Sequence, residues 1–104
     1  MTTVYIAGKI GATDADVERA RPKFMAAEAA LIAAGYEVWN PIRLSGKYDR
    51  RSAYMRHGLT ALLECDAIYM LSGWESSPGA QTEHRVAMEC EIEVMYEPVR
   101  SEGV

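Results

Sequence analysis

Four short runs of β-branched and aromatic residues, separated by helix-length stretches, constrain the fold of this chain more than any other feature. Val4 to Ala7 (VYIA), closed by Gly8, carries the signature of a buried strand. A helical stretch follows, with Val17, Phe24 and Leu31 and the small Ala20, Ala27 and Ala34 at helical spacing. Pro22 interrupts it, so the regular helix is expected to start at Pro22, with residues 13–21 a separate turn. Gly35 ends it as the residue beyond the last turn. Tyr36 to Trp39 (YEVW) is the second strand, stopped by Asn40-Pro41, and residues 42–51 are loop. Ser52 can cap a second helix with the stripe Met55, Leu59, Leu62 and Leu63. Ala67 to Leu71 (AIYML), apolar apart from its tyrosine, is a central strand. Ser77-Pro78 opens a third helix running to about Cys90, and Ile92 to Tyr96 is the fourth strand, before a frayed tail from Val99 to Val104.

Strand and helix alternating in this way imply an α/β fold: a parallel sheet between two helix layers. Right-handed crossovers favour a three-layer doubly wound sheet, flavodoxin- or Rossmann-like, of about four strands in the order 2-1-3-4. With 104 residues, one domain spanning 1–104 is expected. Ligands of such sheets bind beyond the carboxyl ends of the strands where the order reverses, here between the first and third. The two least ordinary loops fall at those ends: Gly8-Lys9-Ile10-Gly11, and the segment from Ser72 to Gly79.

Composition excludes several classes of function. Hydrophobic residues make up 49% and charged residues 25%, which excludes a disordered tail, a collagen-like repeat and a coiled coil. There is no apolar run of membrane-spanning length and no signal-like start, so no membrane partner is expected and the location is expected to be cytoplasmic. Cys65 and Cys90 form no CxxC pair and suit a reducing compartment. With His57 and His84 they match no zinc spacing, so no metal and no cofactor is expected. The net charge of −4 disfavours a nucleic-acid polymer, whose backbone must be gripped by Lys and Arg. Arg43, Lys47, Arg50, Arg51 and Arg56 nonetheless cluster around the single Asp49, which suits either a small anionic ligand or a solvated basic loop.

The third helix carries the candidate chemistry. Its first turn offers free N–H groups and a positive dipole end to an anion, and Gly79 removes a side chain where backbone would approach it. Glu83 lies one turn further along, on the stripe continued by Val86, Ala87 and Cys90, which faces the core. On position alone it is either a functional carboxylate or one that reaches the rim for solubility. Trp39 and Trp74 follow strands at the ligand end and could stack a base or pack at an edge.

The opening VYIAG, the segment CDAIYMLSGWE and the loop-helix SSPGAQTE together resemble the nucleoside 2-deoxyribosyltransferase superfamily. The resemblance is nearest to a small phage and bacterial domain family of unknown function within it, and the superfamily also holds deoxynucleoside 5′-monophosphate N-glycosidases. It runs from Val4 to about Met95. It implies that Glu83 is the nucleophile and that the Tyr5 hydroxyl bonds the nucleophile or the sugar. It further implies that Gly8, Lys9 and Ile10 wrap the sugar or base, and that Ser77 and Gly79 hold a 5′-phosphate. The implied activity is a retaining N-glycosidase or 2-deoxyribosyltransferase working through a covalent glycosyl-enzyme. The proton for the departing base comes, in that superfamily, from an aspartate of the second helix, and this chain has Gly58 there. His57 or Glu75 is the substitute donor to test, His57 being the alternative to a plain surface histidine. Asp66, at the opposite end of the third strand, is not a candidate. The partner implied is a nucleoside or nucleotide, in a homodimer or higher homo-oligomer. A non-catalytic nucleotide-binding module, sensor or scavenger, is the competing expectation.

Overall fold

A computed structural model describes residues 1–45 and 50–98. Its elements are β1 (Thr3–Ala7), α1 (Asp14–Ala33), β2 (Glu37–Trp39), α2 (Arg51–Leu63), β3 (Ala67–Met70), α3 (Pro78–Glu89) and β4 (Glu93–Tyr96). Short 3-10 turns at Pro41–Leu44 and Trp74–Ser76 precede α2 and α3. The four strands form one parallel sheet in the order β2-β1-β3-β4, the α/β arrangement expected from the strand–helix alternation. The tail expected from Val99 onward, Lys47 and part of the loop before α2 lie outside the described residues. No helix of the described residues is long and apolar enough to cross a membrane.

Alternation along β1 assigns its side chains to two cores. Val4 and Ile6 pack with Phe24, Leu31 and Ile42 on the α1 side. Tyr5 and Ala7 face Leu62, Ala80 and Ala87 on the side of α2 and α3. That period-2 choice brings Tyr5 beneath α3.

Two helix starts differ from expectation. α1 begins at Asp14 and runs through Pro22, rather than starting there. The reason is a reciprocal cap: Thr13 Oγ1 accepts from the Asp16 N–H while the Asp16 carboxylate accepts from the Thr13 N–H. Buried Val17 then anchors the first turns to the core. Pro22 is exposed, so the helical bond it cannot make leaves only the solvent-side Glu18 carbonyl without its usual donor. The second correction is at α2, which starts at Arg51, with Arg50 and not Ser52 at the cap position and no side-chain cap bond. Leu63, expected in the apolar stripe of α2, is exposed, whereas Leu62 is fully buried. Gly35, at φ +99°, does end α1 in the left-handed conformation.

Candidate functional site

β1 ends against a tight turn. A Cβ on Gly8 would lie 3.0 Å from Leu71 and 3.2 Å from Phe24, so a side chain there would press these neighbours apart where the chain leaves the strand close to the core. The turn is held further on by Asp16, which accepts from the Ala12 and Thr13 N–H groups. Those bonds and Arg19 hold its carboxyl down at about 2. The Asp16 side chain also fills the space beside Gly11, whose φ is +98°.

Opposite this turn, Ser77 Oγ accepts from the Ala80 N–H at 3.3 Å and Pro78 opens α3. Between them lies a cavity of about 480 Å³, the size of a small-molecule site. The β1–α1 turn supplies Gly8, Lys9 and Ile10 to its wall, α3 supplies Ser77, Gly79 and Glu83, and α2 supplies Arg51, Tyr54 and Met55. A Cβ on Gly79 would meet Met55 Sδ at 3.4 Å and the Arg51 guanidinium at 3.7 Å, so Arg51 stands over the first turn of α3. Pro78 has no N–H and the Ala80 N–H is taken by Ser77, so the Gly79 N–H, a guanidinium and the Ser77 hydroxyl converge at one end of the cleft.

Glu83 forms the floor. Ala80, Glu83 and Ala87 are the buried residues of α3, one stripe at helical spacing, and Glu83 is only 7% exposed. The Tyr5 hydroxyl donates to its Oε2. Burial pushes the Glu83 carboxyl up to about 7, and the Tyr5 hydrogen bond opposes that rise. Burial and the adjacent carboxylate both push the Tyr5 phenol upward, so it stays a donor. Its ring stacks on Trp39 with centroids 5.1 Å apart and an interplanar angle of 8°.

The structure therefore brings Gly8, Lys9, Ile10, Ser77, Gly79 and Glu83 to one cleft, with Tyr5 directly behind Glu83. Trp74 and His57 are placed elsewhere. Trp74 stacks on His84 at 4.4 Å, on the far side of α3, beside a separate depression that also takes Glu75. His57 is exposed on α2 with its ring 5.8 Å from Trp39. Gly58 proves to be buried at the site. The space beside it is filled by the Tyr5 hydroxyl, so it is not room for a bulkier substrate.

Two cleft residues, Asp14 and Tyr54, were not singled out by sequence reasoning, and Met55 was read only as part of the apolar stripe of α2. Burial raises the Tyr54 phenol, which lies within hydrogen-bond distance of Ser45 Oγ at 3.3 Å. The basic cluster divides. Arg50 and Arg51 line the cleft, while Arg43 turns away to the Glu28 carboxylate of α1. Asp66 has a structural role, accepting the Thr3 N–H at 2.9 Å at the start of the sheet.

The model of the family described as "Domain of unknown function (DUF4406)" matches residues 2–96, and the chain belongs to that family. No curated protein matches the sequence.

Proposed function

We propose that this DUF4406 member binds a nucleoside or nucleoside 5′-monophosphate in the cleft and cleaves its N-glycosidic bond through Glu83. The observation that carries this reading is the placement of Glu83: a carboxylate almost wholly buried, held by the Tyr5 hydroxyl, on the floor of a cavity whose other end gathers anion donors. Cleavage passes through an oxocarbenium-like state at the anomeric carbon. The ionised Glu83 stabilises that charge and captures it as a glycosyl ester, while the bonding electrons leave with the base, which takes up a proton from water. Water then attacks the ester to release the sugar, or a second base replaces water and gives transfer. Tyr5 favours the ionised form of Glu83 by donating to it and fixes which oxygen remains for the sugar. Gly8, Lys9 and Ile10 enclose the sugar and base, and Ser77, Gly79 and Arg51 meet the 5′ end. The resemblance of VYIAG, CDAIYMLSGWE and SSPGAQTE to the nucleoside 2-deoxyribosyltransferase superfamily supports the same assignment.

A second reading, a binding module with the same pocket, is favoured by one observation. The superfamily's proton-donating aspartate is replaced by Gly58, and neither His57 nor Glu75 lines the cleft. One experiment separates the two: incubation with a panel of nucleosides and monophosphates, followed by chromatography for free base. Base release that falls by orders of magnitude in Glu83→Gln, with ligand binding retained, is the expected result. Release within a few-fold of wild type in that variant removes Glu83 from the mechanism. Thermal stabilisation by a ligand with no release from the wild type establishes the binding module.

A further inference from the structure

Gly58 sits in the eighth position of α2, far from either end of a thirteen-residue helix. Its φ is not among the positive ones, so no turn, cap or left-handed backbone accounts for a glycine there. Glycine is among the poorest residues for a helix interior, and this one is buried, where a side chain would add apolar contact. Space accounts for it. An ideal Cβ at position 58 would lie 2.7 Å from the Tyr5 hydroxyl oxygen and 3.5 Å from Glu83 Oε2. Carbon and a hydroxyl oxygen do not approach to 2.7 Å without something moving.

Tyr5 has little freedom to move. It is 1% exposed, it belongs to a strand paired on both sides, and its ring is stacked face to face on Trp39. We infer that Gly58 is a positioning residue: by omitting Cβ, α2 leaves the Tyr5 hydroxyl the one place from which it donates to Glu83. This rests on the reading of Glu83 as the reactive carboxylate, and it assigns to the second helix a role in setting the Tyr5–Glu83 bond. It also explains why the superfamily's aspartate position can hold no side chain in this chain: any Cβ there competes with the phenol.

The other titratable groups around Glu83 are distributed over the same cleft. Tyr54 stands one turn before Gly58 on α2, Arg50 and Arg51 lie at the start of α2, and Lys9 and Asp14 flank the β1–α1 turn. His84, next along α3, is turned to Trp74 and Tyr96. The Tyr5 hydroxyl donates straight to the Glu83 carboxylate, so losing that bond should act on Glu83 directly.

The test is a carbon-13 titration of the Glu83 carboxyl, assigned by the signal missing in Glu83→Gln. Gly58→Ala and Tyr5→Phe should each raise its midpoint by about one to two pH units, the size of one hydrogen bond to a charged group. The combined variant should move it no further than Tyr5→Phe alone. Thermal melts give a second readout. Gly58→Ala should lower the melting temperature of the wild type, but leave it unchanged or raise it in the Tyr5→Phe background, where the opposing oxygen is gone and alanine is the better helix former. A folded Gly58→Ala with an unmoved midpoint overturns the inference, as does an equal loss of melting temperature in both backgrounds. If Gly58→Ala alone does not fold, the Tyr5→Phe background decides. The titration reads a carboxyl and not a product, so its outcome is separate from whether the protein releases base.

Discussion

Glu83 is the residue at which the proposed function and stability oppose each other. Folding buries its carboxyl and raises it from an ordinary value near 4.5 to about 7. Between those values the folded chain holds a proton that the unfolded chain has released, so stability falls as pH rises through that window. The contribution is fully present below about 4.5 and gone above about 7. In size it is on the order of 3 kcal/mol, at 1.36 kcal/mol per unit, for a group this buried. Glutamine keeps the acceptor for Tyr5 but never ionises. Glu83→Gln should therefore match the wild type in stability at pH 4.5 and exceed it by about 2–3 kcal/mol at pH 8, measured by denaturant unfolding across pH. A difference that does not change with pH would mean that Glu83 is not held protonated by burial. The same burial explains what the sequence could and could not disclose here. The stripe Ala80, Glu83, Ala87 makes an inward carboxylate readable from spacing alone. That Tyr5 is its partner depends on the register β1 adopts against β3, which no local pattern encodes; the resemblance left the hydroxyl to bond either the nucleophile or the sugar.

At the scale of elements, α1 illustrates a balance of local signals. Pro22 invites a helix break, but the Thr13–Asp16 cap and buried Val17 commit the chain eight residues earlier, and an exposed proline can be carried. Carrying it still costs a backbone bond. Pro22→Ala should restore the bond to the Glu18 carbonyl and stabilise the fold by about 1–3 kcal/mol, raising the melting temperature by several degrees. A melting temperature unchanged or lowered would show that the proline is supported by packing its exposure does not reveal. β1 and β3 were legible because a buried parallel strand is apolar on both faces, which VYIA and AIYM satisfy. The start of α2 was less so, because Arg50 occupies the cap position without a side-chain bond and Ser52 offered a cap the helix does not use. Trp74 misled for a related reason. A loop at the ligand end of a sheet has two sides, and only the packing on His84 reveals which one the indole takes.

Over the whole molecule, the charge runs against the ligand proposed. The chain carries −4 overall, yet Lys9, Arg50 and Arg51 border the cleft, and so does the positive end of a twelve-residue helix with the Gly79 N–H. Screening limits the repulsion of distant surface carboxylates to about 8 Å at physiological ionic strength, whereas Arg51 acts within the cavity itself. A 5′-monophosphate should accordingly bind more tightly than its nucleoside, by about 10- to 100-fold if one charge-assisted interaction with Arg51 carries the difference. Isothermal titration of the matched pair measures it directly. Arg51→Ala should reduce the advantage to within a few-fold and leave nucleoside affinity unchanged, since the guanidinium stands over Gly79, where the proposed 5′-phosphate would lie. Raising salt should weaken the monophosphate more than the nucleoside. Equal affinities for the two in the wild type would instead make the start of α3 a structural cap, and the cleft a nucleoside pocket with no phosphate subsite.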